Sequence, residues 1–512
     1  MAETVQSVDP RTGQAGPTYP ASTPSDVRAA VTASAQAVGS PAWRDDERRA
    51  AFLRGAAARL READGEIVAL VQSETGLPEG RAVGELERTC RQLEAFADVV
   101  DAGDYVDAMI DTADPDAQPI PRPDVRRMLV PIGPVAVFGA SNFPLAFGVA
   151  GGDTASALAA GCPVVAKGHP SHPGTSEAVA ACLDAARADA GLPDGAFALV
   201  QGPGNDVGEA LVDAPAIAAV GFTGSLAAGR ALYERAARRP EPIPVYAEMG
   251  SVNPVVVTEG ALAERADAIA EQLAGAVSFA AGQLCTKPGV VLVPEGAPGE
   301  AFAQAVVDRL AAAGPQVMLN DRLRSSLGDR VHDLDADGNV QRLTPDGGAA
   351  EPGLRFDPLA FRAPAAAVRA SRDLLEERFG PVVLLVTYAS EDELLETAGV
   401  LEGQLTATIH AGAQEAELRR SLTDALSERV GRLIYDGVPT GVAVSTAMHH
   451  GGPYPATTAP AHTSVGMTAI TRWLRPVAYQ NAPPALLPAE LKPDNPLGIW
   501  RRVDGELTRD PA

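Results

Sequence analysis

The sequence predicts an α/β fold of parallel sheets spread over two main domains, and three observations lead there. From about Pro131 to Thr258, short β-branched runs alternate with Ala-rich stretches of helical length, the pattern of repeated βαβ units. The alternation resumes beyond residue 261 with a second set of strands and helices. A chain of 512 residues also exceeds what one hydrophobic core organises, so two or three domains are expected.

In chain order, Arg81–Val100 reads as a long helix in which Gly84, Arg88 and Gln92 recur every four positions and share one face. Leu129 to Gly152 is the most apolar stretch. Pro131, Gly133, Pro134, Gly139, Asn142 and Pro144 interrupt it, so it reads as a buried strand and turn rather than a membrane span. Strands are expected at Val135–Phe138, Pro163–Lys167, Phe197–Val200, Ala218–Phe222 and Val245–Glu248, separated by helices at Thr154–Ala160, Ser176–Ala190, Asp206–Val212 and Leu226–Arg238. This order resembles half of a dinucleotide-binding fold, but the G-x-G-x-x-G of that fold is absent. In its place, Phe222-Thr223-Gly224-Ser225 runs from a strand through a glycine turn into a helix start that reaches Gly229. Backbone N–H groups there can face a pyrophosphate, although an ordinary βα turn reads the same way. A helix over 261–281 then leads into Cys285, followed by strand Gly289–Val293, helix Glu300–Ala313 and strand Pro381–Tyr388, which places Cys285 in a loop just after a helix. Residues 340–365, rich in Pro, Gly and Ala, are expected to form an irregular surface excursion. The Pro-rich segment 481–512 is expected to be a loosely folded tail packed on another element or subunit.

Composition narrows the function classes. An apolar content of 46% with 21% charged residues belongs to an ordinary soluble globular protein. The formal net charge of -24 argues against nucleic acid and anionic membrane as partners, both of which need a positive surface. It also means that an anionic substrate needs a local cationic pocket. The cysteines at 90, 162, 182 and 285 are widely separated and lack a C-x-x-C pair, so no metal site and no disulfide framework is expected, and a reducing compartment fits. Met1-Ala2-Glu3-Thr4 has no basic region leading into an apolar core, and the expected location is cytoplasmic.

The chemistry concentrates in Ser141-Asn142-Phe143-Pro144, Glu248-Met249-Gly250 and Gly282-Gln283-Leu284-Cys285. A thiol, a carboxylate and a carboxamide are the groups needed to oxidise an aldehyde through a covalent thioester. Cys285 attacks the aldehyde carbon, and the oxyanion of the thiohemiacetal needs donors such as the Asn142 amide and the Cys285 backbone N–H. Hydride leaves to a nicotinamide, after which Glu248 activates water against the thioester. The bland alternative is a buried structural thiol beside a strand-end carboxylate.

With these segments, Val165-Ala166-Lys167, Phe222-Thr223-Gly224-Ser225 and Glu377-Arg378-Phe379-Gly380-Pro381 complete six pieces whose order resembles the aldehyde dehydrogenase superfamily over nearly the whole chain. The resemblance implies a Rossmann-type cofactor domain (1–105 and 126–250), an α/β catalytic domain (251–445), a small oligomerisation arm (106–125 and 463–490) and a C-terminal tail (491–512). It further implies a homodimer or homotetramer. Carried over, it makes Cys285 the nucleophile, Glu248 the base and Asn142 an oxyanion donor. It places Lys167 on the adenosine ribose, Gly224, Ser225 and Gly229 at the pyrophosphate, and Glu377 with Phe379 at the nicotinamide ribose and ring. Many relatives carry a glutamate three positions after the ribose lysine, which repels a 2′-phosphate; here that position is Pro170. Losing the carboxylate favours NADP over NAD, with His169 or Ser171 as hydrogen-bonding partners of the phosphate beside Lys167.

Other departures narrow the family. Gly152-Asp153 replaces a common aromatic-lysine pair, and His450-Gly451-Gly452-Pro453-Tyr454 together with Thr463-Ser464-Val465-Gly466 stands near the C-terminus. These segments resemble the branch acting on 2,5-dioxopentanoate (2-oxoglutarate semialdehyde). The substrate is then an oxo-acid aldehyde, and Arg88 is the expected partner of its carboxylate, against the competing reading of an intrahelical pair with Glu85. Phe147 and His450 are expected as tunnel walls. A long-chain fatty aldehyde is the alternative substrate, while a hydrolase, a binding protein or a coenzyme A-acylating enzyme fits the intact Cys285, Glu248 and Asn142 less well.

Overall fold

The computed structural model describes residues 3–345 and 353–512, folded around three main sheets. The first is five-stranded and parallel, in the order Phe197–Val200, Val164–Lys167, Val135–Phe138, Ala219–Thr223, Val245–Glu248. Its order reverses at Val135–Phe138, so the carboxyl ends of Val135–Phe138 and Ala219–Thr223 part at a switch point, where α/β sheets open a crevice. The expected strands lie within one residue of those observed. The helix Pro173–Asp189 starts three residues before the expected Ser176, because Pro173 lacks an N–H to satisfy and is suited to a first turn.

The second sheet has seven strands among the described residues: Gln341–Arg342, Leu359–Pro364, Val382–Tyr388, Val290–Pro294, Val255–Val257, Gln404–His410 and Val430–Tyr435. All pairs are parallel except the first. Its central strands are unbroken apolar runs, as burial on both faces demands. Here the expectation of a surface excursion over 340–365 fails for its second half. Leu359, Ala360 and Phe361 are buried in the sheet, and the alternation of proline and small residues concealed a strand whose register runs Leu359↔Val382 to Pro364↔Thr387. Residues 346–352 of that stretch lie outside the described residues.

A third sheet combines Leu474–Gln480, Val125–Pro131, Met109–Asp111, Arg501–Val503 and Glu506–Thr508. Val125–Pro131 pairs with Leu474–Gln480 and with Met109–Asp111, and one expectation is corrected here. The chain end is not a loose tail: Arg501–Val503 adds to Met109–Asp111, and buried Arg501 donates to the carbonyls of Glu490, Lys492 and Pro493. The prolines stop helices and hairpins without preventing a strand from docking. Among the described residues no helix is long and apolar enough to cross a membrane.

The unusual Asp153 has a structural use. It forms a buried ion pair with Arg472 (2.7 Å), whose guanidinium lies 4.7 Å from the Trp473 ring centroid, and Trp473 Nε1 donates to Ser156 Oγ at 2.8 Å. This ties the first sheet's helix Gly152–Ala159 to the segment leading into Leu474–Gln480. Asp153→Ala strands the Arg472 charge and is expected to cost about 3–5 kcal/mol in chemical denaturation, the usual result of breaking a buried pair. A loss under about 1 kcal/mol would equate it with a surface pair.

Candidate active site

Cys285 follows a break in helical geometry. Helix Glu259–Ser278 gives way to a tight turn in which Ala280, Ala281 and Gly282 have φ of 52°, 56° and 64°. Two alanines in the left-handed region carry strain that surrounding contacts must hold. At Gly282 a Cβ would lie 2.3 Å from the Gly380 carbonyl oxygen, so only glycine fits. Gln283 pins the turn, its Oε1 accepting from the Leu319 N–H at 2.9 Å. Beyond it, Asn253 Nδ2 donates to the carbonyls of Cys285 (2.8 Å) and Lys287 (3.0 Å).

Glu248 ends the last strand of the first sheet, with its carboxyl 3% exposed beside the thiol. His450, 1% exposed, places Nε2 2.9 Å from Glu248 Oε1 and 3.4 Å from Cys285 Sγ. Sequence reasoning made His450 a tunnel wall; the structure puts it in contact with both the nucleophile and the base. Its backbone N–H donates to Thr463 Oγ1 at 2.8 Å, and Ser464 Oγ donates to Glu248 Oε2 at 2.5 Å. Burial and the Glu248 charge push the Cys285 thiol well above the usual cysteine range. Burial by itself would raise the Glu248 carboxyl, but His450, Ser464 and the Cys285 thiol outweigh it and hold Glu248 below the ordinary glutamate value. Asn142 Nδ2 donates to the Gln283 carbonyl at 2.9 Å, which ties its turn to the nucleophile loop and leaves a second amide hydrogen for an oxyanion.

On the other side of the thiol lies the helix Glu79–Ala102. Buried Glu85 accepts from the N–H groups of Leu145 (2.9 Å) and Ala146 (3.0 Å), and Arg81 stands 3.5 Å away. Arg88 makes no direct ion pair with Glu85 among the described contacts, although the two charges act on each other. Arg88 Nε and Nη2, and Gln92 Nε2 one turn further on, are buried without a hydrogen-bond partner. The Arg88 guanidinium stands 5.9 Å from the Phe147 ring centroid, and Phe147 stands 6.5 Å from the His450 ring. Arg88, Phe147, His450 and Cys285 thus stand next to one another in turn, with Phe147 and Cys285 lining the cleft. Gly84 is exposed and has no such place.

A cleft of about 2110 Å³ opens at the switch point and reaches Cys285; it is lined by Lys167, His169, Ser171, Gly224, Ser225, Glu377 and Phe379. Ser225 Oγ caps helix Leu226–Ala237 by accepting from the Ala228 N–H at 3.3 Å, leaving earlier N–H groups toward the cleft. Gly229 is buried instead, where a Cβ would meet Met249 at 2.7 Å, so packing rather than ligand approach requires it. Burial lowers the Lys167 ammonium to about 8. His169 is held well below its usual value by burial and its cationic neighbours; its Nδ1 accepts from the Ser171 N–H at 3.1 Å, leaving a neutral ring that donates only through Nε2. The Ser171 hydroxyl accepts from Asn320 Nδ2 at 2.9 Å. Burial pushes the Glu377 carboxyl up to about 7 and the Lys287 ammonium down to about 7, and each partly offsets the other. A helix N-terminus, a lysine and a carboxylate spaced along an open cleft fit the phosphates and riboses of a dinucleotide.

A family model described as the aldehyde dehydrogenase family matches residues 1–423. The chain belongs to the aldehyde dehydrogenase family. It is 44% identical over 507 residues to an alpha-ketoglutaric semialdehyde dehydrogenase 2 of Azospirillum brasilense, covering 99% of this chain and 96% of that one. It is 41% identical to an alpha-ketoglutaric semialdehyde dehydrogenase of Acinetobacter baylyi, covering 99% and 97%. Its fold is shared by a betaine aldehyde dehydrogenase of Staphylococcus aureus solved in complex with NAD+, at TM-score 0.81 and 21% identity over 94% of this chain and 93% of that one. The protein is thus an NAD(P)-dependent aldehyde dehydrogenase.

In this aldehyde dehydrogenase, sequence reasoning missed Asn253, Lys287, Arg81 and Ser464 as parts of the site. Ser464 lay in a segment singled out as distinctive, but nothing in a chain separation of 216 residues signals its bond to Glu248. Because the thiol is raised, the thiolate grows only at high pH. Alkylation of Cys285 by iodoacetamide in the cofactor-free enzyme is expected to accelerate past pH 9.0, and Glu248→Gln to shift the profile to lower pH. A rate that levels off near about pH 8.5, the ordinary thiol value, would contradict this.

Proposed function

We propose that the enzyme oxidises 2,5-dioxopentanoate (2-oxoglutarate semialdehyde) to 2-oxoglutarate, with NADP preferred over NAD. The observation that carries this reading is Arg88. Its Nε and Nη2 are buried without a hydrogen bond, and such N–H groups are costly until an acceptor completes them. It lies on the wall that leads to Cys285, at the end where an α-keto acid would sit. The names of the two relatives at 44% and 41% identity support the same substrate class.

The substrate carboxylate takes the Arg88 fork, with Gln92 Nε2 as a further donor, and the aldehyde carbon meets Cys285 Sγ. The thiol gives up its proton to the Glu248 carboxylate, which passes it to water before the hydrolytic half of the reaction, while His450 Nε2 stays 2.9 Å from Glu248 Oε1 and 3.4 Å from Sγ. A carbon–sulfur bond forms, and the oxyanion is met by the remaining Asn142 amide hydrogen and the Cys285 backbone N–H. A nicotinamide dinucleotide held by Lys167, the Ser225 helix start and Glu377 would supply the hydride acceptor for oxidation to the thioester. Glu248 then takes a proton from water as the water oxygen attacks the thioester carbon; the carbon–sulfur bond breaks and the carboxylate leaves. Holding Glu248 below its ordinary value keeps it ionised and able to accept that proton.

The NADP preference rests on Pro170, where a carboxylate would repel a 2′-phosphate, and on Lys167 with Arg322 near His169 as cations at that end of the cleft. Assembly into a homodimer or homotetramer through the third sheet belongs to the same reading, with exposed Leu486, Leu497, Trp500 and Leu507 as apolar surface. So does a reducing, cytoplasmic setting, since Cys285 must stay a free thiol.

NADPH formation with 2,5-dioxopentanoate, succinate semialdehyde and decanal is expected to give the highest kcat/KM for the dioxo acid, and none with Cys285→Ala. Arg88→Met should raise KM for the dioxo acid by about 10-fold or more, the loss of a charge-assisted hydrogen bond, and spare decanal. Equal effects on both, or a preference for decanal, would discard the Arg88 pocket in favour of a fatty aldehyde. Arg322→Ala is expected to lower kcat/KM for NADP by about 10-fold while leaving NAD unchanged; a parallel loss with both would remove Arg322 from phosphate recognition.

A further inference from the structure

Cys285, Glu248 and His450 come from three distant segments, yet Sγ, a carboxylate oxygen and an imidazole nitrogen all lie within 4.8 Å of one another. Among the described residues no other group of three such side chains is gathered this way. The set is zinc chemistry: thiolate, imidazole and carboxylate, with a fourth position left open. Zinc–ligand bonds of roughly 2.0–2.3 Å at tetrahedral angles place ligand atoms roughly 3.3–3.6 Å apart. The Sγ–Nε2 separation of 3.4 Å already fits, and the Nε2–Oε1 separation of 2.9 Å needs to widen by a few tenths of an ångström. Glu248 Oε1 is buried and faces only His450 and the Cys285 thiol, the two other members of the cluster, so its lone pairs point into the place a cation would take. The ligands are also held from outside. Ser464 fixes the other carboxylate oxygen, and Thr463 fixes the His450 backbone. Such supporting contacts strengthen metal sites.

We propose that Cys285, Glu248 and His450 form an inhibitory site for zinc(II) and similar divalent cations. As the sulfur–metal bond forms, the Cys285 thiol releases its proton to solvent; Glu248 and the His450 imidazole add one lone pair each, and no group changes oxidation state. The bound cation withdraws the nucleophile and the base together, so the occupied enzyme is inactive and a chelator restores it. This inference uses the side chains of the proposed oxidation but is independent of which aldehyde is the substrate.

The test is a titration of the cofactor-free enzyme with cobalt(II) and then zinc(II). One equivalent of cobalt should bind, with a thiolate-to-cobalt charge-transfer band and the visible bands of a four-coordinate ion, and zinc should displace it. His450→Gln and Cys285→Ser are expected to weaken binding by more than about 100-fold, beyond the loss typical of a merely supporting group. Cys182→Ser, at a half-buried cysteine against Arg59, should leave binding unchanged. In the wild-type protein, zinc should shield Cys285 from iodoacetamide, as read by mass spectrometry, and EDTA should restore reactivity. A cobalt spectrum without the thiolate band, undiminished binding in folded His450→Gln, or Cys285 alkylated as fast with zinc as without it would overturn the proposal. None of these readouts uses a substrate, so a failed dioxopentanoate assay would not be confused with a failed metal site.

Discussion

The carboxamide of Asn253 holds the reactive loop to the sheet beneath it. Fully buried and in a left-handed backbone conformation, it donates to the carbonyls of Cys285 and Lys287, while its Oδ1 accepts from Ser251 Oγ and Thr406 Oγ1, each at 2.9 Å. Gln404 completes the network by accepting from the Val252 N–H at 2.7 Å. Removing this amide would leave several buried polar groups without partners, each costing on the order of 1–3 kcal/mol. The strained turn at Ala280 and Ala281 depends on such anchoring, because a left-handed alanine persists only where its surroundings over-determine it.

Once the loop is fixed, burial governs the chemistry. Desolvation by itself would push both the thiol and the carboxylate toward their neutral forms. The structure separates them: His450 and Ser464 keep Glu248 ionised, while the same carboxylate holds the Cys285 proton on. A resting thiol beside a charged base suits an enzyme whose nucleophile should react only when substrate is present. The cations follow a related logic. In a chain of net charge -24 most arginines lie in ion pairs, whereas Lys167 is withdrawn into the wall of the cleft and two nitrogens of Arg88 are buried without a hydrogen bond.

Much of the fold was legible in the sequence, because strands buried on both faces must be continuous apolar runs and their helices must be Ala-rich and long enough to cross back. Where reading failed, the signal was local and misleading. Leu359–Pro364 contains a proline and two alanines and looks like loop, yet it pairs on one side with Val382–Tyr388. Arg501–Val503 is a short strand after a Pro-rich stretch, and its docking on Met109–Asp111 is a contact across nearly 400 residues that no local pattern encodes. In the site, Cys285, Glu248 and Asn142 stood out because each sits in a compact motif. His450 stood out as a wall residue but not as a neighbour of the base, since a histidine in a Gly-rich loop carries no mark of what it will face.

By itself the sequence determined the βαβ succession, the thiol, carboxylate and carapace of apolar strands that carry them, and the absence of an acid at Pro170, all of which are properties of residue type and spacing. The tertiary structure decided that Arg81 rather than Arg88 stands within ion-pair distance of Glu85, that Asp153 belongs to Arg472, and that an imidazole touches both nucleophile and base. These are matters of a few ångströms between segments hundreds of residues apart. Local propensity cannot encode them, because they arise only when packing brings several chain segments to the same buried point.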